Sequence, residues 1–337
     1  MSAKSFGLDI SKTSIRAVSL LRQKNGFLLE SSSVISSPTK GMTSSSLIDE
    51  QEMTAALKHV VSNAKIKSKN VNIALPEDKV YTSVVELPAL SDSEIASALK
   101  WEAEQYIPVP LSEIHLVWTL LRKDERARVL MIGAPISLIG RYQKIIGAAG
   151  LNISSIETET LSVIRALVRG KFPHAIIINV AEEISSLAIV NEGVLMFTYS
   201  IPIGGKAINR ALELDYGLSN AQSEEYKMTY GISKEGLGDK IRQAVEPVLF
   251  SILNETKKAL DFYTQKNKES SPIQQIILSG GTAIIPGVDL FFAENIGIET
   301  VIADPWQVLV DKNVPKELLE EASSYTIAVG LAMRAYE

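Results

Sequence analysis

At 337 residues the chain is long enough for two ordinary domains and a large core. Its 46% hydrophobic and 22% charged residues are those of a folded protein, and a net charge of −5 disfavours broad nucleic-acid or acidic-membrane binding. With no cysteine it has no disulfide, thiolate metal site or Cys nucleophile, which fits a reducing compartment. The three histidines, His59, His115 and His174, lack metal-ligand spacing. Met1-Ser-Ala-Lys leads straight into a strand, so no signal peptide is expected. The longest apolar run, Val129 to Gly140, is broken by Gly133 and Pro135 and is too short for a bilayer. A cytoplasmic location is expected, with any membrane association made through a partner.

Phe6 to Ile10 reads as an apolar strand with Asp9 near its end. Ser11-Lys12-Thr13-Ser14 makes a polar turn, and Ile15 to Leu20 a second strand. Such a turn offers backbone N–H groups and hydroxyls to a phosphate, and Asp9 can hold Mg²⁺ through water. Any polar hairpin with an N-terminal Asp looks the same, so the reading needs partners elsewhere. Gly26 to Val34 continues the strands, and Ser31 to Ser46, rich in Ser and Thr, reads as a surface loop. A helix over Leu47 to Ala64 and a strand over Val71 to Leu75 follow.

A β-α-β-β-α pattern then runs from about Val80 to Ser155 and reads as an inserted α+β unit. Ser91-Asp-Ser-Glu94 is a capping box that opens its first helix. Ser154 to Arg169 is expected to be a helix. Beyond it the opening pattern recurs: strand Ala175 to Val180, a turn at Ala181 to Ser185, and strands over Ser186 to Asn191 and Val194 to Ser200. This internal duplication outweighs either hairpin alone. Gly204-Gly205 closes the strand set, a helical unit spans about Lys206 to Lys268, and Ser279-Gly-Gly-Thr282 ends a further strand. The last helix, Tyr325 to Tyr336, carries Ala328, Gly330 and Ala332 for close packing.

Two hairpins and a Gly-Gly strand end are the parts of an actin-like nucleotide clamp. The chain resembles the PilM family of type IV pilus assembly proteins, relatives of the cell-division protein FtsA. The resemblance rests on Gly7-Leu-Asp-Ile-Ser11, Ile73-Ala-Leu-Pro76, Glu102-Ala-Glu-Gln-Tyr-Ile-Pro-Val-Pro110, Ile201-Pro-Ile-Gly-Gly205 and Leu278-Ser-Gly-Gly-Thr282. It implies an α/β, actin-like (ribonuclease H-like) duplicated fold. The first core would comprise 1–79 and 155–174, with an inserted α+β subdomain of the SHS2 kind at 80–154. The second core would comprise 175–205 and 269–337, with a helical subdomain at 206–268.

The resemblance also implies ATP and Mg²⁺ between the halves. Asp9, Ser11, Lys12 and Thr13 would face the phosphates, Gly204 and Gly205 would lend N–H groups, and Asp9 and Asn179 would organise the metal. Glu224 and Lys227 match a Glu-x-x-Lys beside ribose and adenine. Gly280, Gly281 and Thr282, with Ile285 behind them, match an adenosine loop in which a side chain at either Gly would strike base or sugar. Glu159, at the start of the connecting helix, could orient a water. Relatives usually carry Asp-x-Gly where this chain has Asn179-Val-Ala181, followed by Glu182, so slow or absent hydrolysis is expected. The implied role is a cytoplasmic scaffold at the inner face of the membrane, in a pilus or a related type II secretion machine. It would bind the N-terminal peptide of a PilN-like membrane protein near Val84, Leu87, Trp101 and Tyr106, in a groove between the insertion and the first half, and could self-associate. Two alternatives stay open. An FtsA-like division scaffold is disfavoured by a chain that ends at Glu337 without an amphipathic membrane helix. A sugar or acetate kinase of the same superfamily would need a cleft Asp base, which is not found after Ala134 or near Thr158.

Overall fold

The structure is a computed structural model and describes residues 4–123, 125–168, 174–267, 271–311 and 313–337. In chain order, β1 (Phe6–Ile10), β2 (Ser14–Gln23), β3 (Gly26–Ser36), α1 (Leu47–Asn63) and β4 (Asn70–Leu75) open the first half. Next come β5 (Tyr81–Pro88), α2 (Asp92–Tyr106), β6 (Ile114–Lys123), β7 (Arg126–Pro135), α3 (Ile136–Ala148), β8 (Asn152–Thr158) and α4 (Glu159–Leu167). The second half has β9 (His174–Val180), β10 (Ser185–Asn191), β11 (Val194–Ile201), α5 (Gly205–Tyr216), α6 (Asn220–Tyr230) and α7 (Gly236–Lys266). It closes with β12 (Gln275–Ser279), α8 (Val288–Ile296), β13 (Glu299–Ile302), α9 (Lys316–Glu320) and α10 (Thr326–Arg334).

The duplication is explicit in the sheets. One has the order β3-β2-β1-β4-β8, the other β11-β10-β9-β12-β13. Each is an antiparallel three-strand meander whose first strand is extended by two parallel neighbours. Every residue of β1 is buried, as parallel-sheet strands covered on both faces are. Asp9 therefore lies one residue from the end of a fully buried strand.

A seam of small residues joins the halves. A Cβ on Gly7 of β1 would lie 2.2 Å from the Ala328 carbonyl, and one on Gly330 of α10 would lie 1.9 Å from the Ser162 carbonyl of α4. Only glycine allows α10 to lie this close to both β1 and α4. Val163 and Ala166 of α4, Val329 and Ala332 of α10, Leu20 of β2 and Ile177 of β9 share the core there.

A third sheet, β5-β7-β6, carries α2 on one face. The Ser91 N–H donates to the Glu94 carboxylate at 2.9 Å, which is half of the capping box that starts α2. The grouping 80–154 puts α3 with the insertion; its Tyr142, Ile145 and Ile146 pack among Phe6, Leu8 and Ile73 of the first sheet.

Two local expectations are corrected. Ser31–Ser36 is strand rather than loop, because pairing with Ser14–Ser19 of β2 satisfies a backbone whose serines merely look loop-like. The helix expected from Ser154 starts only at Glu159. Before it, Asn152–Thr158 joins β4 as a parallel edge strand, and Arg169 lies outside the described residues. No helix among the described residues is long and apolar enough to cross a membrane.

Candidate nucleotide cleft and partner cavity

The first hairpin is pinned by its own hydroxyls. The Ser11 N–H and Oγ both donate to the Ser14 carbonyl at 2.9 Å. The Ser37 N–H donates to the Thr13 carbonyl at 3.0 Å, and its Oγ donates to the Ser11 carbonyl at 2.7 Å. Lys12 and Thr13 stand exposed at the tip. Asp9 is 4% exposed, and burial pushes its carboxyl up to about 6 against the opposing pull of Arg16. Its carboxyl has no hydrogen-bond partner among the described residues.

Glu77, just past β4, and Glu159, the first residue of α4, hold each other. The Glu77 N–H donates to Glu159 Oε2, and the Thr160 N–H donates to Glu77 Oε2, each at 3.3 Å. Burial raises both carboxyls, and for Glu159 the fields of Asp9 and Glu77 raise it further, well above the ordinary range. Three carboxyls thus converge where β1, β4 and α4 meet. No group of three or more His, Asp or Glu among the described residues is arranged to hold a metal ion directly.

The second hairpin ends β9 as the first ends β1. Asn179 is 4% exposed and in register with Ser279 of β12. The expectation that both glycines lend N–H groups to a phosphate is corrected for Gly205, whose N–H donates to the Ala181 carbonyl at 2.9 Å. Gly204 is glycine for contact. A Cβ there would lie 2.5 Å from the Ala181 carbonyl and 2.6 Å from that of Glu182. Glu182 Oε2 is buried and unpartnered. Glu183, next to it, pairs with Lys12 of the first hairpin.

The segment after β12 packs against this hairpin. Gly280 has φ +88°, and its Cβ would lie 2.5 Å from the Val180 carbonyl and 2.9 Å from Asn179 Oδ1. The obstruction there is the protein, not a bound base or sugar as expected from the sequence. Gly281 differs: the nearest atom to its Cβ would be Ser324 Oγ at 3.8 Å. A Gly205 Cβ would lie 2.6 Å from Oγ1 of buried Thr282, and Ile285 is buried in the core of this half.

On α6, Lys227 Nζ donates to Glu224 Oε2 at 2.6 Å and to Asn209 Oδ1 at 2.9 Å; Asn209 Nδ2 donates to Glu224 at 2.9 Å. Lys227 is 3% exposed, so the triad supplies the partners that its buried ammonium requires. Asn209 of α5 and Glu77 carried no sequence signal, because each matters only through neighbours distant in the chain.

The expected partner residues separate. Val84 and Tyr106 line one cavity of about 330 Å³, together with Met196 and Phe197 of β11 and Phe262 and Tyr263 of α7. It lies between the inserted sheet and the second half, whereas the sequence reading put the groove against the first half. Glu77 and Thr160 also line it. Leu87 is corrected: it is buried in the core beneath α2, so it cannot receive a partner. Trp101 is exposed on α2, away from the cavity lining.

Paired sheets, facing hairpins and Gly-Gly strand ends define an actin-like ATPase fold. Residues 7–336 match the family model described as type IV pilus assembly protein PilM, and the chain belongs to that family. A solved PilM-PilN type IV pilus biogenesis complex superposes with a TM-score of 0.84 at 21% identity, covering 100% of both chains. MreB 5 of Spiroplasma citri bound to AMPPNP gives a TM-score of 0.52 at 14% identity, covering 96% of this chain and 93% of that one. Cell division protein FtsA of Streptococcus pneumoniae serotype 2 (strain D39 / NCTC 7466) is 22% identical over 351 residues, 90% of this chain and 76% of its own.

Proposed function

We propose that the chain is an ATP-binding scaffold of the type IV pilus inner-membrane assembly complex. It takes ATP with Mg²⁺ between its halves, hydrolyses it slowly or not at all, and docks the cytoplasmic N-terminal peptide of a PilN-like membrane protein. The observation that carries the nucleotide reading is the meeting of two matching hairpins, Ser11–Ser14 and Ala181–Ile184, through Lys12 and Glu183. Actin-like relatives support it, among them the MreB 5 bound to AMPPNP.

The residues fit the ligand. Asp9 offers a buried carboxyl without a hydrogen-bond partner, suited to the waters of a hydrated Mg²⁺. Gly281 has open space beside it where a planar base or a sugar could lie. Bound Mg²⁺ would neutralise phosphate charge, and Asn179, an amide, adds no charge to that task. Burial and the fields of Asp9 and Glu77 raise the Glu159 carboxyl well above the ordinary carboxylate range. The missing charge at Asn179 favours holding nucleotide over turning it over.

The aromatic-lined cavity beside Val84 and Tyr106 is the seat proposed for the partner peptide. A PilM-PilN complex with the same fold supports a PilN-like partner, and membrane association would come through that partner. An FtsA-like role is the second reading, favoured by the FtsA relative. Fluorescence anisotropy with the N-terminal peptide of the genomically adjacent PilN-like protein tests the scaffold role. Saturable binding is expected, and no binding at high micromolar chain contradicts it.

A further inference from the structure

Lys12 and Glu183 meet across 171 residues of sequence, so no local propensity brings them together. Lys206, in the first turn of α5, places Nζ 3.7 Å from the other oxygen of the same carboxylate. Lys79, in the turn after β4, exchanges fields with Glu183 as well. The hydrogen bond from Lys12 holds the Glu183 carboxyl below its ordinary range. Two ammonium groups from separate segments therefore pair with one carboxylate at the mouth of the cleft.

The charge there is not balanced. Lys79 is paired with Asp78, at 2.8 Å. Lys12 and Lys206 have Glu183 as their ion-pair partner among the described residues. One carboxylate with two oxygens faces more positive charge than it neutralises, and a terminal phosphate carries more charge and a third oxygen. Side-chain exposures of 39% for Lys12, 40% for Glu183 and 65% for Lys206 leave the cluster open to exchange with a ligand.

The geometry points to a polyphosphate seat made by Lys12 and Lys206, in which Glu183 is an internal stand-in anion that an incoming polyphosphate displaces. This rests on the ATP reading of the cleft. It adds Lys206 as a phosphate contact and makes Glu183 an intramolecular competitor. On displacement the Glu183 carboxylate turns to solvent, and the lysines pair with phosphate oxygens. The competition weakens binding in proportion to how much a ligand uses the seat, so it acts on triphosphates and spares a monophosphate.

Calorimetric titrations of the full chain, Glu183→Gln and Lys206→Gln with ATP, AMP and inorganic tripolyphosphate test it. Glu183→Gln should bind ATP and tripolyphosphate about two- to fivefold more tightly, the range set by one exposed ion pair, with AMP unchanged. Lys206→Gln should weaken both without affecting AMP. If ATP and AMP tighten alike in Glu183→Gln, or neither changes, the stand-in role is overturned. If no form binds ATP while tripolyphosphate still prefers Glu183→Gln, the seat stands and the nucleotide reading falls. If neither ligand binds any form, both fall.

Discussion

Asp9 and Arg16 stand directly opposite each other across the first hairpin, yet the Asp9 carboxyl lies at about 6 rather than at its ordinary 3.8. Burial outweighs the arginine because the Arg16 guanidinium is engaged elsewhere. It donates to Ser14 Oγ, lies 3.8 Å from Glu321, and sits 5.2 Å from the Tyr325 ring centroid.

A raised folded-state value has a definite sign. The contribution of Asp9 to stability is fully present below about 3.8 and is lost as pH climbs through about 6, a change of about 3 kcal/mol at most. Asp9→Asn should therefore raise the melting temperature more at pH 7.5 than at pH 4.5. An equal change at both values would contradict it. The same variant should lose Mg²⁺-dependent nucleotide affinity, a separation of stability from function.

The Asn209–Glu224–Lys227 triad predicts an order of damage. Glu224→Ala leaves a buried ammonium with only an amide, whereas Lys227→Met leaves a carboxylate that is 47% exposed and can turn to water. Glu224→Ala should cost about 3 kcal/mol and Lys227→Met clearly less. Denaturant midpoints measure both, and the reverse order would refute the assignment.

The two glycines after β12 should behave oppositely. Gly280→Ala forces φ +88° on an alanine and drives its Cβ into the Val180 carbonyl, so a loss of at least about 2 kcal/mol is expected. Gly281→Ala meets no protein atom closer than 3.8 Å and should leave stability unchanged while weakening ATP about tenfold or more. A Gly281→Ala chain with parental ATP affinity would place the base elsewhere.

Partner binding separates the residues that the sequence grouped. Tyr106→Ala and Phe262→Ala should weaken binding of the PilN-like peptide about tenfold with little effect on folding. Leu87→Ala should cost about 2–5 kcal/mol as a core truncation, and Trp101→Ala should do neither. Anisotropy titrations combined with thermal melts distinguish these outcomes.

The duplicated meanders were legible because alternation and turn chemistry are local, and Asp9 and Asn179 are the penultimate residues of equivalent strands of the two sheets. The strand Asn152–Thr158 was not. Ile153 and Ile156 are spaced three apart, which reads as a helix face, and only parallel pairing with β4 makes the segment a strand. The bulge between Val71 and Asn72 in that pairing disrupts strict alternation further. Glu77, Asn209 and Glu183 were invisible for a different reason: their partners lie 83, 18 and 171 residues away.

Binding of ATP between the two hairpins is tested most directly by a calorimetric titration of the full chain with and without Mg²⁺. Saturable binding at a single site, stronger with Mg²⁺ and weakening as pH falls through about 6, is the predicted result. No detectable heat at millimolar ATP in either condition would contradict it.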